Sequence, residues 1–196
     1  MSTTTKAMPT IEERFASDTA DHVMTVLHND GLYRHLRFKK PDSSTYWFDV
    51  ITWPGSLTLN GDMGTYTFSR LEDMFEFFRS GVGINPGYWG EKVKAGETTR
   101  YDEDYARQAA QEYLDEWAEH EDPNRVGHAR QLFRELLADD DSADETNFRY
   151  GLSRIGEPFG DFWWEADFRP HTTQFLWSCW AIRHAVTVTE FKAVKA

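Results

Sequence analysis

From Leu32 to Phe68 apolar residues recur at every second position, a period that only an extended chain can turn to one face. Leu36 and Phe38 alternate with His35, Arg37 and Lys39, and further on Tyr46, Phe48 and Val50 alternate with Trp47, Asp49 and Ile51. Pro41-Asp42-Ser43 supplies the turn between these runs. Trp53-Pro54-Gly55 then leads to Leu57 and Leu59, and Asn60-Gly61 with Gly64 reverses the chain into Tyr66 and Phe68. The pattern predicts a four-stranded antiparallel meander over residues 32–68.

On both sides of this stretch the period is helical. Thr10 with Glu13 reads as a capping box, in which each side chain satisfies the other's free backbone amide. Ile11, Phe15, Val23, Val26 and Leu27 keep helical spacing after it, and Asn29-Asp30-Gly31 offers an exit, so one helix is expected there. Ser69 with Glu72 repeats the box ahead of a stripe of Leu71, Met74, Phe75 and Phe78, with Phe77 off the stripe. Tyr105, Ala106, Ala109, Ala110, Tyr113, Leu114 and Trp117 share one helix face. Asp122-Pro123 opens the next helix, with Val126, Ala129, Leu132, Phe133, Leu136 and Leu137 as its apolar stripe. Ser142 with Glu145 makes a third box, and Phe175 to His184 reads as a buried helix carrying Trp177, Cys179 and Trp180. For Val186 to Phe191 strand and helix both remain open. The fold class expected is therefore α+β. It comprises a mobile tail over residues 1–9 and a single domain over 10–196, in which a four-stranded antiparallel meander is packed with helices, including an acidic helical hairpin at about 102–140.

The charge is segregated. Tyr101 to Glu145 holds 15 acidic against 4 basic residues, a net of −11 in a chain whose total is −12, whereas residues 1–100 carry 13 acids against 11 bases. A one-sided field steers oppositely charged partners and repels like ones. It argues against direct nucleic-acid binding, because that affinity rests on Lys and Arg against phosphates. The single cysteine, Cys179, excludes an internal disulfide and a thiolate zinc site within one chain. There is no apolar run of membrane-spanning length and no basic-then-apolar N-terminal layout, so the expected compartment is the cytoplasm. No cofactor is expected.

The run Phe48-Asp49-Val50-Ile51-Thr52-Trp53-Pro54-Gly55, continued by Gly61-Asp62-Met63-Gly64-Thr65-Tyr66-Thr67-Phe68-Ser69-Arg70, resembles an uncharacterised family of small proteins of phage and prophage genomes. Asp73-Met74-Phe75-Glu76-Phe77-Phe78 and Tyr88-Trp89-Gly90-Glu91-Lys92 fit the same pattern, and the resemblance covers about residues 46–92. It carries no site residues. What it implies is context: small acidic proteins of such genomes are often accessory, and some disable host defence.

Two functional expectations follow. In the first, Asp104, Glu112, Asp115, Glu116, Glu119, Glu121, Asp139, Asp140 and Asp141 form a non-catalytic surface that docks on a basic, nucleic-acid-handling host protein or nucleoprotein complex, imitating phosphate spacing. The bland counterpart is that these acids keep a helix pair solvated, and part of the Asp139–Glu145 cluster serves a helix start. In the second, an enzyme or accessory factor of nucleic-acid metabolism has a site near His35, Asp49 and Asp62, where an Asp–His couple would do acid–base work. Its structural alternative is that Asp49 pairs with Arg37 on the adjoining strand. There is no HExxH, no HxH and no paired-His spacing for a metal. Asp18/His22 and Glu116/His120 are i,i+4 pairs of the kind that make mild ion pairs, and Cys179 between two tryptophans reads as an inert thiol.

Overall fold

The computed structural model describes residues 8–79, 81–138 and 143–193, with side chains described as far as Thr189. Residues 1–7 of the expected tail lie outside the described residues, as do Asp139, Asp140, Asp141 and Ser142. The chain divides into two compact units, Met1–Thr98 with His171–Ala196 and Thr99–Pro170.

The first unit is a helix-backed antiparallel sheet. Its strands are β1 (Val23–Asp30), β2 (Tyr33–Lys39), β3 (Phe48–Trp53), β4 (Ser56–Gly61), β5 (Gly64–Ser69) and β6 (Val93–Ala95), ordered as they are numbered. The four strands expected over 32–68 are β2 to β5, and the sheet is larger by one strand at each edge. Registers such as Phe38↔Phe48, Val50↔Leu59 and Leu57↔Phe68 place the alternating apolar residues on one face. At Gly61 a β-carbon would lie 2.3 Å from the Trp47 carbonyl oxygen, so only glycine lets β4 run this close to the start of β3.

The added strand β1 corrects the helix expected up to Leu27. The capping box does form, with Thr10 Oγ1 accepting from the Glu13 amide at 3.2 Å and Glu13 accepting from the Thr10 amide at 2.8 Å. The helix it starts, α1 (Ile11–Asp18), lasts only eight residues. Val23, Val26 and Leu27 have helical spacing by coincidence; Val-Met-Thr-Val is rich in β-branched residues, which fit a pleated surface better than a helix. Gly31, at φ 59°, is the first central residue of a two-residue hairpin between Asp30 and Tyr33, where a positive φ is required. It is a turn glycine and not a helix exit.

Short helices α2 (Met74–Arg79) and α3 (Pro86–Gly90) and the long α8 (Thr173–Ala193) cover the apolar face. Ser69 does not cap α2. Its hydroxyl donates to the Gly55 carbonyl at 2.7 Å, and Asp73 accepts from the Phe75 amide instead. Leu71, expected on the stripe, is exposed, and Phe77, expected off it, is buried. Residues 186–191, left open between strand and helix, continue α8. Thr187 and Thr189 donate to the carbonyls of Arg183 and Ala185, so their hydroxyls are satisfied along the helix itself. Phe175 of α8 packs on Tyr66 and Phe68, and Trp177 on Phe48 and Phe15. Cys179 is buried, and burial raises its thiol pKa far above the ordinary value. No described helix is long and apolar enough to cross a membrane.

The second unit is helical. It holds α4 (Glu103–Ala118), α5 (Pro123–Ala138), α6 (Glu145–Ile155) and α7 (Phe162–Glu165). Its core is Ala106, Ala110 and Leu114 of α4, Ala129 and Phe133 of α5, Phe148 and Leu152 of α6, and Phe159 and Phe168 from the loops. The expected hairpin is present as α4 and α5. The described cap of α6 is Asp144, which accepts from the Asn147 amide at 3.0 Å; Ser142, expected in that role, lies outside the described residues.

Candidate functional site

In the second unit the local chemistry of α4 fixes which carboxylates face outward. Asp102 caps it by accepting from the Tyr105 amide at 2.8 Å, and Glu103 and Asp104 follow in the first turn, where the helix macrodipole favours negative charge. With Ala106, Ala110 and Leu114 turned inward, Glu112, Asp115, Glu116 and Glu119 form one stripe at i, i+3, i+4 and i+7. All four are exposed, as is Asp104. Gln108 donates to Glu112 at 2.8 Å and Gln111 to Asp115 at 2.9 Å, while Arg130 of α5 meets Asp115 at 2.8 Å. Glu121 is half-buried and pairs with Arg125 at 2.6 Å. Asp104, Glu116 and Glu119 make no side-chain hydrogen bond or ion pair among the described residues. Asp139, Asp140 and Asp141 cannot be placed, because they lie outside those residues.

Of the two hairpin helices, α4 with its flanks carries the excess of acids. Residues 102–122 hold nine acids and one base, whereas α5 carries Arg125, Arg130 and Arg134 against Glu135 alone. Of the expected docking carboxylates, those on the described part of the hairpin form a row along α4. Its last turn contains no base, and Asp115, Glu116 and Glu119 crowd the end where the macrodipole is already negative. Each such placement costs about 0.3–1 kcal/mol at an exposed site. Solvation would be served as well by carboxylates nearer the N-terminus, so local stability does not account for the stripe.

In the first unit the sheet's other face is polar. Asp49 stands opposite Arg37 across β2 and β3, and it is 3 % exposed. Arg37 Nε and Nη2 donate to its two oxygens at 2.8 Å each, and His35 Nε2 lies 2.9 Å from Oδ2. The Arg37 guanidinium also lies over the Trp47 ring, 5.6 Å from its centroid. Burial pushes the Asp49 carboxyl upward, and the bonds from Arg37 and His35 more than offset it, holding the pKa below the ordinary aspartate value. Of the three residues expected together, the structure brings His35 to Asp49 and leaves Asp62 apart. Asp62 accepts from the Tyr46 amide at 2.9 Å, fastening a turn in which Tyr46 has φ 56°. Asp18 does not pair with His22 either; it accepts from the Trp177 indole at 3.0 Å. Among the described residues no group of three or more His, Cys, Asp or Glu is placed to hold a metal ion.

The depressed Asp49 pKa makes a signed prediction. An unfolded aspartate titrates near 3.9, so the stability this ion pair contributes is present above that value and is lost as pH falls through the lower folded value. Asp49→Asn is expected to cost about 1.5–3 kcal/mol at neutral pH, the range for hydrogen bonds to charged groups. The variant should also lose less stability than the parent between about pH 6 and about pH 3, because it lacks this titration. Urea denaturation at several pH values checks both effects, and parallel acid limbs would contradict the assignment.

Against protein-family models, curated proteins and solved structures alike, the chain finds no match.

Proposed function

We propose that the protein is a non-catalytic binding protein, phage-derived and counter-defensive in role, which docks the acidic face of α4 on a basic, nucleic-acid-handling host protein. The observation that carries this reading is the coincidence of charge with architecture. The unit Thr99–Pro170 holds 19 acidic and 8 basic residues, a net of −11, against 14 and 13 in the other unit. Charge needed only for solubility has no reason to collect on one unit. The four stripe carboxylates spread over ~10.5 Å of helix axis, or about one charge per 3.5 Å. A single DNA strand carries one phosphate per 3.4 Å of axis. A surface built to accept a nucleic-acid backbone would therefore accept this helix, in the manner of an inhibitor of a restriction or CRISPR-type nuclease.

The test removes charge and keeps size. Asp104→Asn, Glu112→Gln, Asp115→Asn, Glu116→Gln and Glu119→Gln combined should leave the fold intact. The one ion pair lost, Asp115 with Arg130, is exposed, and such pairs are worth about 0–1 kcal/mol. A basic host protein recovered by capture on the parent protein is then titrated with both forms. The fivefold variant should bind at least tenfold more weakly at low salt, with a flatter salt dependence, since exposed attraction is screened over about 8–10 Å at ordinary ionic strength. Duplex DNA should compete with the parent protein. Equal affinities and equal salt slopes would overturn the proposal.

A further inference from the structure

The two edges of the six-stranded sheet are finished differently. Strand β6 is three residues long and carries Lys94, which are the usual means of keeping an edge from pairing with another chain. Strand β1 has eight residues, of which Val23 to Asn29 include neither Lys, Arg, Asp, Glu nor Pro. Its side chains Val23, Val26 and Leu27 are 56 %, 50 % and 48 % exposed, which gathers three of the molecule's exposed large apolar residues on one edge. Among the described residues β2 is the sole pairing partner of β1. Half of the backbone N–H and C=O groups of β1 therefore point outward, and an extended strand is what satisfies them.

The segment Val23-Met24-Thr25-Val26-Leu27 is close to palindromic in character about Thr25. Antiparallel pairing with itself across a two-fold axis at Thr25 sets Val23 opposite Leu27 and Met24 opposite Val26, with Thr25 on Thr25. Every pair other than the central one is apolar, and Thr–Thr pairs are favourable neighbours across strands. Met24 and Val26 lie on the core face, opposite Phe38 and Leu36 of β2, and Met24 packs on the core cluster. The pairing would extend that core from one copy into the next. Leu27 has no partner in β2 and is the extra residue of the irregularity between Val26 and His28, so the regular stretch is Val23 to Val26 and the two Val23–Leu27 pairs close the seam at the bulge.

We infer that β1 is a homodimer seam, at which two copies of the chain join edge to edge into one twelve-stranded antiparallel sheet. Such an isologous contact is the commonest form of soluble assembly. It is independent of the acidic helix and stands whatever that helix binds.

Sedimentation velocity tests the inference on the full chain. At tens of micromolar the protein should sediment as a species of twice its 22.8 kDa mass. V23K and L27E should each weaken the dimer at least tenfold, with unchanged circular dichroism, since both side chains are half exposed. Mixing the two variants should restore a dimer, because the register sets the introduced lysine of one copy against the introduced glutamate of the other. Amide exchange along β1 of the parent protein should slow as concentration rises. A parent protein monomeric at these concentrations would overturn the inference and leave the edge to a strand of another protein. Single variants that remain dimeric, a mixture that does not reassociate, or exchange independent of concentration would each overturn it as well.

Discussion

Trp177→Ala should cost about 3–5 kcal/mol, the range for emptying a large aromatic from a packed core. The indole is 1 % exposed and sits at the centre of the first unit's aromatic cluster. It meets Phe15 edge-on at 5.0 Å and Phe48 at 5.7 Å, and its Nε1 donates to Asp18 at 3.0 Å. Losing the ring leaves a cavity between α1, α8 and β3 and strips Asp18 of its donor, two penalties of different kind. Trp177→Phe separates them in large part: it keeps most of the ring volume and removes the indole N–H, so it should cost about 1–3 kcal/mol. Denaturant titration of the three proteins gives both differences. Near-equal stability of the parent and Trp177→Ala would mean that α8 does not hold α1 on the sheet.

The sheet's centre was legible in the sequence because burial on one face of a strand writes itself as a period of two. β2 to β5 are full strands with turns of Gly, Pro and Asp between them, and all four are where the alternation puts them. The edges were not legible for a physical reason. At β1 only Met24 is partly buried against the core, so no alternation is imposed and the residues are free to mimic another period. At β6 three residues are too few to show one. The acidic hairpin was visible in outline, since the cap at Asp122-Pro123 and the inner stripes of both helices are local signals. The unbalanced charge falls on α4 because Arg125, Arg130 and Arg134 offset the acids of α5. The Asp49–Arg37 pair was legible from strand order alone. Asp62 was misplaced because its role as a turn fastener requires knowing that the chain at Tyr46 takes a positive φ.

Phe133→Ala is the corresponding test in the second unit, and it should again cost about 3–5 kcal/mol. The ring is 1 % exposed and packs on Phe159 at 5.5 Å, in a core to which α4 contributes Ala106, Ala110 and Leu114 as buried residues, with Ala109 and Trp117 partly buried against them. Small residues on α4 let the helices approach closely, and Phe133 is the large side chain that α5 buries fully between them among the described residues. The helical stripe in the sequence predicts that Tyr113 and Trp117 share this load. Tyr113 is instead 37 % exposed, stacked on Phe162 at 4.2 Å, and Trp117 is half-buried with the Arg125 guanidinium over its ring at 5.8 Å. Trp117→Ala should therefore cost well under the roughly 3–5 kcal/mol of a fully buried ring. Amide exchange in α4 reports both variants: the protection of residues 106, 110 and 114 should fall far more in Phe133→Ala than in Trp117→Ala. The reverse order would mean that Trp117, and not Phe133, carries the packing of α4.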